Sequence, residues 1–203
     1  EKFRGNIYDR NGKPFLYRDE ATALFIDPQY FRDSGKGMEL AKQLNRDYSE
    51  LMKKLTDKRP FIIITYDEIP ETEGITKLPI KGRYGIKPIA AHIIGYTDKD
   101  GAMGKAGIEK AYDYLLKDGG EITVKYSGNA QAGSIPGLGV DVTDNINETG
   151  GVKLTLDYDI QKITDEAADR LLPKGAVVVE DIATGEIVAM TSRPDFNPEK
   201  VEQ

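Results

Sequence analysis

The chain has 203 residues, with 34 acidic and 28 basic side chains, one His, no Cys and no Trp, for a net charge of −6. At ~150 residues per domain this is one large domain or two small ones, big enough to need no disulfide or metal staple. The lone His and absent Cys exclude zinc ribbons, thiol nucleophiles and thiol redox chemistry, and an acidic balance without a basic stripe argues against nucleic acid as a partner.

In chain order, Asn6–Asp9 and Phe15–Tyr17 flank the turn pair Asn11-Gly12 and predict a β-hairpin. Thr22–Asp27 is a strand candidate stopped by Pro28. From Gly35 to Pro60, Leu40, Ala41, Leu44, Tyr48, Leu51, Met52 and Leu55 recur at three- and four-residue steps and predict one helix. Phe61–Tyr66 reads as a buried strand, and 71–85 reads as loop. Ile108–Leu116 predicts a short helix closed by Gly119-Gly120, and Glu121–Ser127 alternates as a strand. The stretch 128–151 is rich in Gly and small polar residues and marks the expected domain boundary. Beyond it come a strand at Val152–Leu156, a helix at Asp159–Leu172 and two strands at Ala176–Ile182 and Glu186–Ser192. Ile160, Ile163, Ala167 and Leu171 form the expected inner face of that last helix. The sum is an α+β fold: short strands and helices, then a helix and a β-hairpin from an incomplete sheet.

Little catalytic raw material is present. His92 sits in the apolar run Ala90–Ile94 and reads as a structural histidine. No Gly-x-Ser-x-Gly elbow and no phosphate-cradling loop exist; Gly137-Leu138-Gly139 lacks a third glycine. Among carboxylates, Glu180 and Asp181 are strand neighbours pointing to opposite faces, and Asp157 and Asp159 read as helix caps. Asn147-Glu148-Thr149 fits the glycosylation pattern by chance. No cofactor and no metal are expected.

Three segments carry more information: Arg4-Gly5-Asn6-Ile7-Tyr8-Asp9-Arg10-Asn11-Gly12; Arg83-Tyr84 followed by Ala90-Ala91-His92-Ile93-Ile94-Gly95-Tyr96; and Gly104-Lys105-Ala106-Gly107-Ile108-Glu109. Arg4, Arg10 and Arg83 are planar, always-charged donors, and Asp9 and Glu109 are carboxylates suited to bidentate pairing. Gly5, Gly12, Gly104 and Gly107 permit positive φ or close backbone approach. Together they predict a partly buried ion-pair network tying the first hairpin to the Gly104–Glu109 turn, against the simpler alternative of scattered surface charge.

These segments resemble the N-terminal pedestal of class B penicillin-binding proteins, whose patterns run Arg-Gly-x-x-x-Asp-Arg-x-Gly, Arg-x-Tyr-Pro-x-Gly and Gly-x-x-Gly-x-Glu. The second pattern departs here, because Arg83-Tyr84-Gly85-Ile86-Lys87-Pro88 has no Tyr-Pro step. The stretch from Val152 through Thr184-Gly185-Glu186 to Ser192-Arg193-Pro194-Asp195 resembles the start of the family's transpeptidase domain. The resemblance implies a pedestal and dimerisation domain over 1–150 and an N-terminal piece of the transpeptidase domain over 151–203. In the family, a Ser in Ser-x-x-Lys forms an acyl-enzyme with peptidoglycan stem peptides and is trapped by penicillin. Here Ser34, Ser49, Ser127, Ser134 and Ser192 are followed at the third place by Gly37, Met52, Ala130, Gly137 and Asp195, so none fits. Of the family's later motifs, Ser-x-Asn is spelled by Ser127-Gly128-Asn129 only by chance, and Glu148-Thr149-Gly150 is not Lys-Thr-Gly. The resemblance therefore implies a non-catalytic pedestal, lacking its anchor helix, on the extracytoplasmic face of the bacterial membrane. Its implied partners are an integral-membrane glycan polymerase, other cell-wall synthesis proteins and, through the parent, peptidoglycan. An open edge on the 176–192 hairpin predicts self-association through it, or its disorder. The alternatives are a free-standing peptidoglycan-binding module and a carboxylate-based glycan hydrolase.

Overall fold

The structure, a computed structural model, describes residues 3–57, 59–99, 101–117, 119–125, 141–146 and 150–201. In chain order the elements are β1 (Asn6–Tyr8), β2 (Glu20–Ile26), α1 (Ser34–Gln43), α2 (Tyr48–Thr56), β3 (Phe61–Thr65), β4 (Ile75–Lys81), α3 (Ala91–Ile94), α4 (Gly107–Ala111), α5 (Asp113–Leu116), β5 (Gly120–Lys125), β6 (Asp141–Ile146), β7 (Gly151–Lys153), α6 (Tyr158–Leu171), β8 (Gly175–Glu180) and β9 (Ile187–Arg193). Short 3-10 turns occupy Pro28–Phe31 and Pro198–Lys200. The fold is α+β. It forms two units: residues within 19–82 and 124–142, and residues within 1–18, 83–123 and 143–203. Most of the Gly-rich stretch 128–151, with Gly137–Gly139 and Asn147–Thr149, lies outside the described residues, as does Ser127-Gly128-Asn129 at its start.

In the 19–82 part, β2 is the central strand of an antiparallel sheet in the order β3-β2-β4. Period-2 alternation puts Leu24 and Ile26 on one face, where they are fully buried with Leu40, Leu44, Leu51 and Leu55 of α1 and α2. The apolar steps expected of one helix belong to two. Asn45 takes φ +47, the N–H of Arg46 reaches the Ala41 carbonyl and that of Asn45 reaches Lys42, which is a Schellman stop. Asp47 then caps α2 by accepting from the Glu50 N–H. The Ser49 hydroxyl, and after it the Glu50 N–H, hold the Asp47 carboxyl below its ordinary pKa. The predicted loop 71–85 contains β4. Pro79, which has no N–H to give, is tolerated because β4 is an edge strand.

In the other unit the first hairpin is only a turn. The Gly12 N–H donates to the Asp9 carbonyl, and one antiparallel bridge joins Tyr8 to Pro14. A second strand does not propagate because Pro14 lacks a donor. β1 pairs instead in parallel with β7, Asn6 opposite Gly151 and Tyr8 opposite Lys153. Ile7, Phe15, Leu16, Ile94, Leu116, Val152, Leu156 and Tyr158 form the core there. The helix predicted over 108–116 is broken at Tyr112 into α4 and α5. β5 and β6 form a two-stranded ladder, and β8 and β9 another.

α6 turns the predicted face outward. Ile160, Ile163 and Leu171 are exposed, Leu171 at 79%, while Gln161, Thr164, Asp165 and Ala168 are buried. Gln161 and Asp165 face inward because each finds partners on β9, and the Thr164 hydroxyl donates to the Ile160 carbonyl of its own helix.

Candidate functional site

The nine residues singled out in the sequence fall into two groups, both in the unit holding residues 3–18 and 83–117. The first centres on Glu109, in the first turn of α4 and fully buried. Its Oε2 accepts from Arg4 Nε at 3.0 Å and its Oε1 from Arg83 Nε at 2.6 Å. The Tyr84 hydroxyl donates to the same Oε1 at 3.2 Å. Arg4 Nη2 also binds Asp113 Oδ1 at 2.7 Å and the Glu109 carbonyl at 3.2 Å, and its Nη1 binds the Ala102 carbonyl at 3.1 Å. Arg83 Nη1 and Nη2 each donate to the Gly5 carbonyl at 3.2 Å, and Nη1 reaches the Tyr17 hydroxyl at 2.7 Å. Two guanidinium groups therefore meet two carboxylates, and the charges balance.

Burial sets the electrostatics. Desolvation, then the Glu109 charge, push the Tyr84 phenol above its ordinary pKa, so it stays a donor. Desolvation works against the Arg83 charge, but Tyr17 and Glu109 outweigh it and the guanidinium ends above its ordinary value. The Gly104 N–H, and then Arg4, hold the Asp113 carboxyl below the ordinary range.

Gly104 and Gly107 make this packing possible. A Cβ on Gly104 would stand 1.9 Å from the Glu109 carbonyl oxygen, and one on Gly107, where φ is +58, 2.4 Å from that of Ile93. Neither neighbour is a flexible side-chain tip, so the backbone itself would have to move. Gly104→Ala is expected to destabilise the chain by at least about 2 kcal/mol, read as a lower urea midpoint.

Asp9, Arg10 and Gly12 form the second group and do not reach Glu109. Asp9 is buried, and its carboxylate accepts from the N–H groups of Asn11 and Lys13 at 2.7 Å and of Tyr158 at 3.1 Å. It ties the turn to the start of α6. Arg10 pairs with Glu186 at 2.8 Å on the surface.

A third cluster centres on Asp165, which had no signal in the sequence. Asp165 Oδ2 accepts from the Ala90 N–H at 3.0 Å and from Gln161 Nε2 at 3.2 Å, and its Oδ1 accepts from the Thr191 hydroxyl. Arg193 donates to the Asp165 carbonyl at 2.8 Å and pairs with Asp169 at 2.7 Å. Ala90 has φ +56, a left-handed conformation costly for a residue with a Cβ, held by that carboxylate. His92 is tied to the same end of the chain: its Nε2 lies 3.0 Å from the Pro194 carbonyl, and its ring meets Phe196 edge-on at 4.9 Å. Asp157 caps α6 through the N–H groups of Asp159 and Ile160. Among the described residues no group of His, Asp and Glu is placed to hold a metal, and no helix is long and apolar enough to cross a membrane. These clusters clamp backbone to backbone, and their charged atoms face one another.

No family model matches the chain. Single relatives match along nearly all of it. It is 32% identical over 220 residues to the "Probable peptidoglycan D,D-transpeptidase FtsI" of Caulobacter vibrioides, covering 98% of this chain and 32% of that protein. It is 30% identical over 220 residues to "Stage V sporulation protein D" of Bacillus subtilis, covering 98% and 33% respectively. The chain thus spans about a third of the length of these curated relatives. Among solved structures, the complex between penicillin-binding protein PBP2 and MreC from Helicobacter pylori aligns with a TM-score of 0.53 at 25% identity, covering 98% of this chain and 43% of that one.

Proposed function

We propose, because this chain belongs to the class B penicillin-binding proteins, that it is the non-catalytic pedestal of a longer protein that crosslinks peptidoglycan. In this reading residues 1–150 are the pedestal and dimerisation domain, and 151–203 are the first elements of the transpeptidase domain. The pedestal holds the catalytic domain on the extracytoplasmic face of the membrane. It docks cell-wall synthesis partners, an integral-membrane glycan polymerase among them, and its 176–192 hairpin self-associates. The similar penicillin-binding protein PBP2 of Helicobacter pylori, solved in a complex with MreC, supports the partner-docking part of this reading.

The observation that carries the reading is the Arg4–Glu109–Arg83 cluster. It commits four charged side chains to fixing Gly5 and the Gly104–Glu109 turn, with none aimed at a substrate. The sequence accords with it, since no Ser stands three places before a Lys. The test is a fluorescent β-lactam on this chain and on the full-length gene product side by side. Covalent label is expected on the full-length protein and absent from this chain. Label on the chain itself overturns the non-catalytic assignment, and label on neither overturns the transpeptidase parent.

A further inference from the structure

α3 is only four residues long, yet it is engaged on two sides. On one side it interlocks with α4 through backbone. A Cβ on Gly95 would stand 2.0 Å from the Ala106 carbonyl oxygen, as one on Gly107 would crowd that of Ile93. The N–H groups of Lys105 and Ala106 both donate to the Tyr96 carbonyl, at 2.8 and 3.3 Å. Two residues beyond Gly107 comes Glu109, whose carboxylate joins Arg4 to Arg83.

On the other side α3 grips the stretch that leaves β9. A carbonyl can only accept, so the 3.0 Å contact makes His92 Nε2 a donor to Pro194. The His92 ring meets Phe196 edge-on at 4.9 Å, and the Tyr96 ring meets the same Phe196 at 6.0 Å. Asp195 lies 3.8 Å from His92 Nε2 and 3.7 Å from Arg193 Nη1. Just before α3, the Ala90 N–H is held by Asp165 of α6, the helix that packs on β9.

The path from Glu109 to the two rings thus runs through backbone atoms in direct contact. Close packing of this kind transmits a displacement instead of absorbing it. If α4 shifts when its carboxylate is lost, Gly107 must move against Ile93 and Gly95. His92 and Tyr96 are then carried with them.

We propose that α3 is a relay: the grip on Phe196 is coupled to the Arg4–Glu109–Arg83 cluster, so that opening either loosens the other. This deepens the function proposed above, in which α3 lies in the pedestal and Phe196 in the transpeptidase part. Its link to holding the catalytic domain rests on that reading. The coupling itself is a property of this chain and is tested on it.

The test is limited chymotrypsin digestion, read as the rate at which the 197–203 peptide is released. Cleavage after Phe196 requires its ring to leave His92 and Tyr96, so the rate reports how often the grip opens. His92→Ala removes the hydrogen bond and one ring, and should speed release about tenfold. Glu109→Gln should speed it about fivefold from a distance. Both act on one opening, so the double variant should stay near tenfold, where independent effects would multiply to about fiftyfold. Leu51→Ala, in the buried core of the other unit, tests for a general loss of stability and should leave the rate unchanged. Digestion is done where circular dichroism shows each variant folded. Should Glu109→Gln not fold, Tyr84→Phe removes a single bond to the same carboxylate and should give about twofold, again without multiplying. An ordinary rate in His92→Ala overturns the grip. An ordinary rate in the cluster variant, a multiplied rate in the double variant, or equal acceleration by Leu51→Ala overturns the relay. None of these results bears on the β-lactam assay, so the two readings fail separately.

Discussion

Replacing Glu109 by Gln should cost the chain about 3–5 kcal/mol, the range for breaking a buried charge pair by removing one partner. Gln keeps the shape and volume of the side chain, so the loss reports the missing charge and the one acceptor oxygen that becomes an N–H donor facing a guanidinium. Arg4 and Arg83 both bond to this carboxylate with side chains 2% and 11% exposed, so neither guanidinium can readily turn to water instead. The Tyr84 hydroxyl loses its charged acceptor at the same time. For a chain of this length each kcal/mol shifts the melting temperature by about 2–4 °C, so a drop on the order of 10 °C is expected. Asp113→Asn is the internal comparison. Its side chain is 32% exposed, and water can replace part of what Arg4 loses, so its effect should be no more than about 1 kcal/mol. Equal melting of the Glu109→Gln variant and the unaltered chain would sink the idea that this cluster holds the unit together.

Asp165→Ala should be about as damaging, for a different reason. It strands three donors at once: the Ala90 N–H, the Thr191 hydroxyl and Gln161 Nε2. Each buried donor left without a partner costs about 1–3 kcal/mol. Ala90 is affected further, because its left-handed backbone is stabilised by that one acceptor. The amide proton of Ala90 should therefore exchange with solvent markedly faster in the variant, alongside a loss of about 3–5 kcal/mol by urea unfolding. Thr191→Val, which removes one of the three donors with its bond, should cost about 1 kcal/mol. An Ala90 proton as protected in the variant as before would show that the carboxylate is not what holds that backbone.

What could be read in the sequence follows the range of each signal. Arg4, Arg83 and Glu109 were legible because they recur in motifs with fixed spacing. Asp113 and Tyr17, which complete the cluster, were not, since only the fold brings them within reach. The strands β2 and β3 were legible from uninterrupted apolar runs. β4 was hidden by Pro79 and by the turn residues before it, and only its place at a sheet edge makes Pro79 acceptable. The division of α1 from α2 did carry a sign: Asp47 with Glu50 three places later is the spacing of a capped helix start. The regular leucine steps on either side masked it. α6 is the instructive miss. Its apolar stripe of Ile160, Ile163 and Leu171 shows which surface gains by leaving water, but periodicity does not say what stands opposite. β9 meets the other side, where Gln161 and Asp165 find backbone partners that only the folded hairpin provides.

The parallel pairing of β1 with β7 has a consequence for how the chain is made. Tyr8 finds its partner at Lys153, so the ribosome must add about 145 further residues (153 less 8) before the first strand can close. At ~5–20 residues per second that is a wait on the order of ten seconds. Arg4 passes most of the wait without Glu109, its acceptor 105 positions later. The three-stranded sheet of β2, β3 and β4 needs nothing beyond Lys81 and can form early. The stretch around Arg4 and Tyr8 therefore stays charged and unpaired beside a sheet that is already folded, and it is a stretch that a holding chaperone or a protease would meet during synthesis.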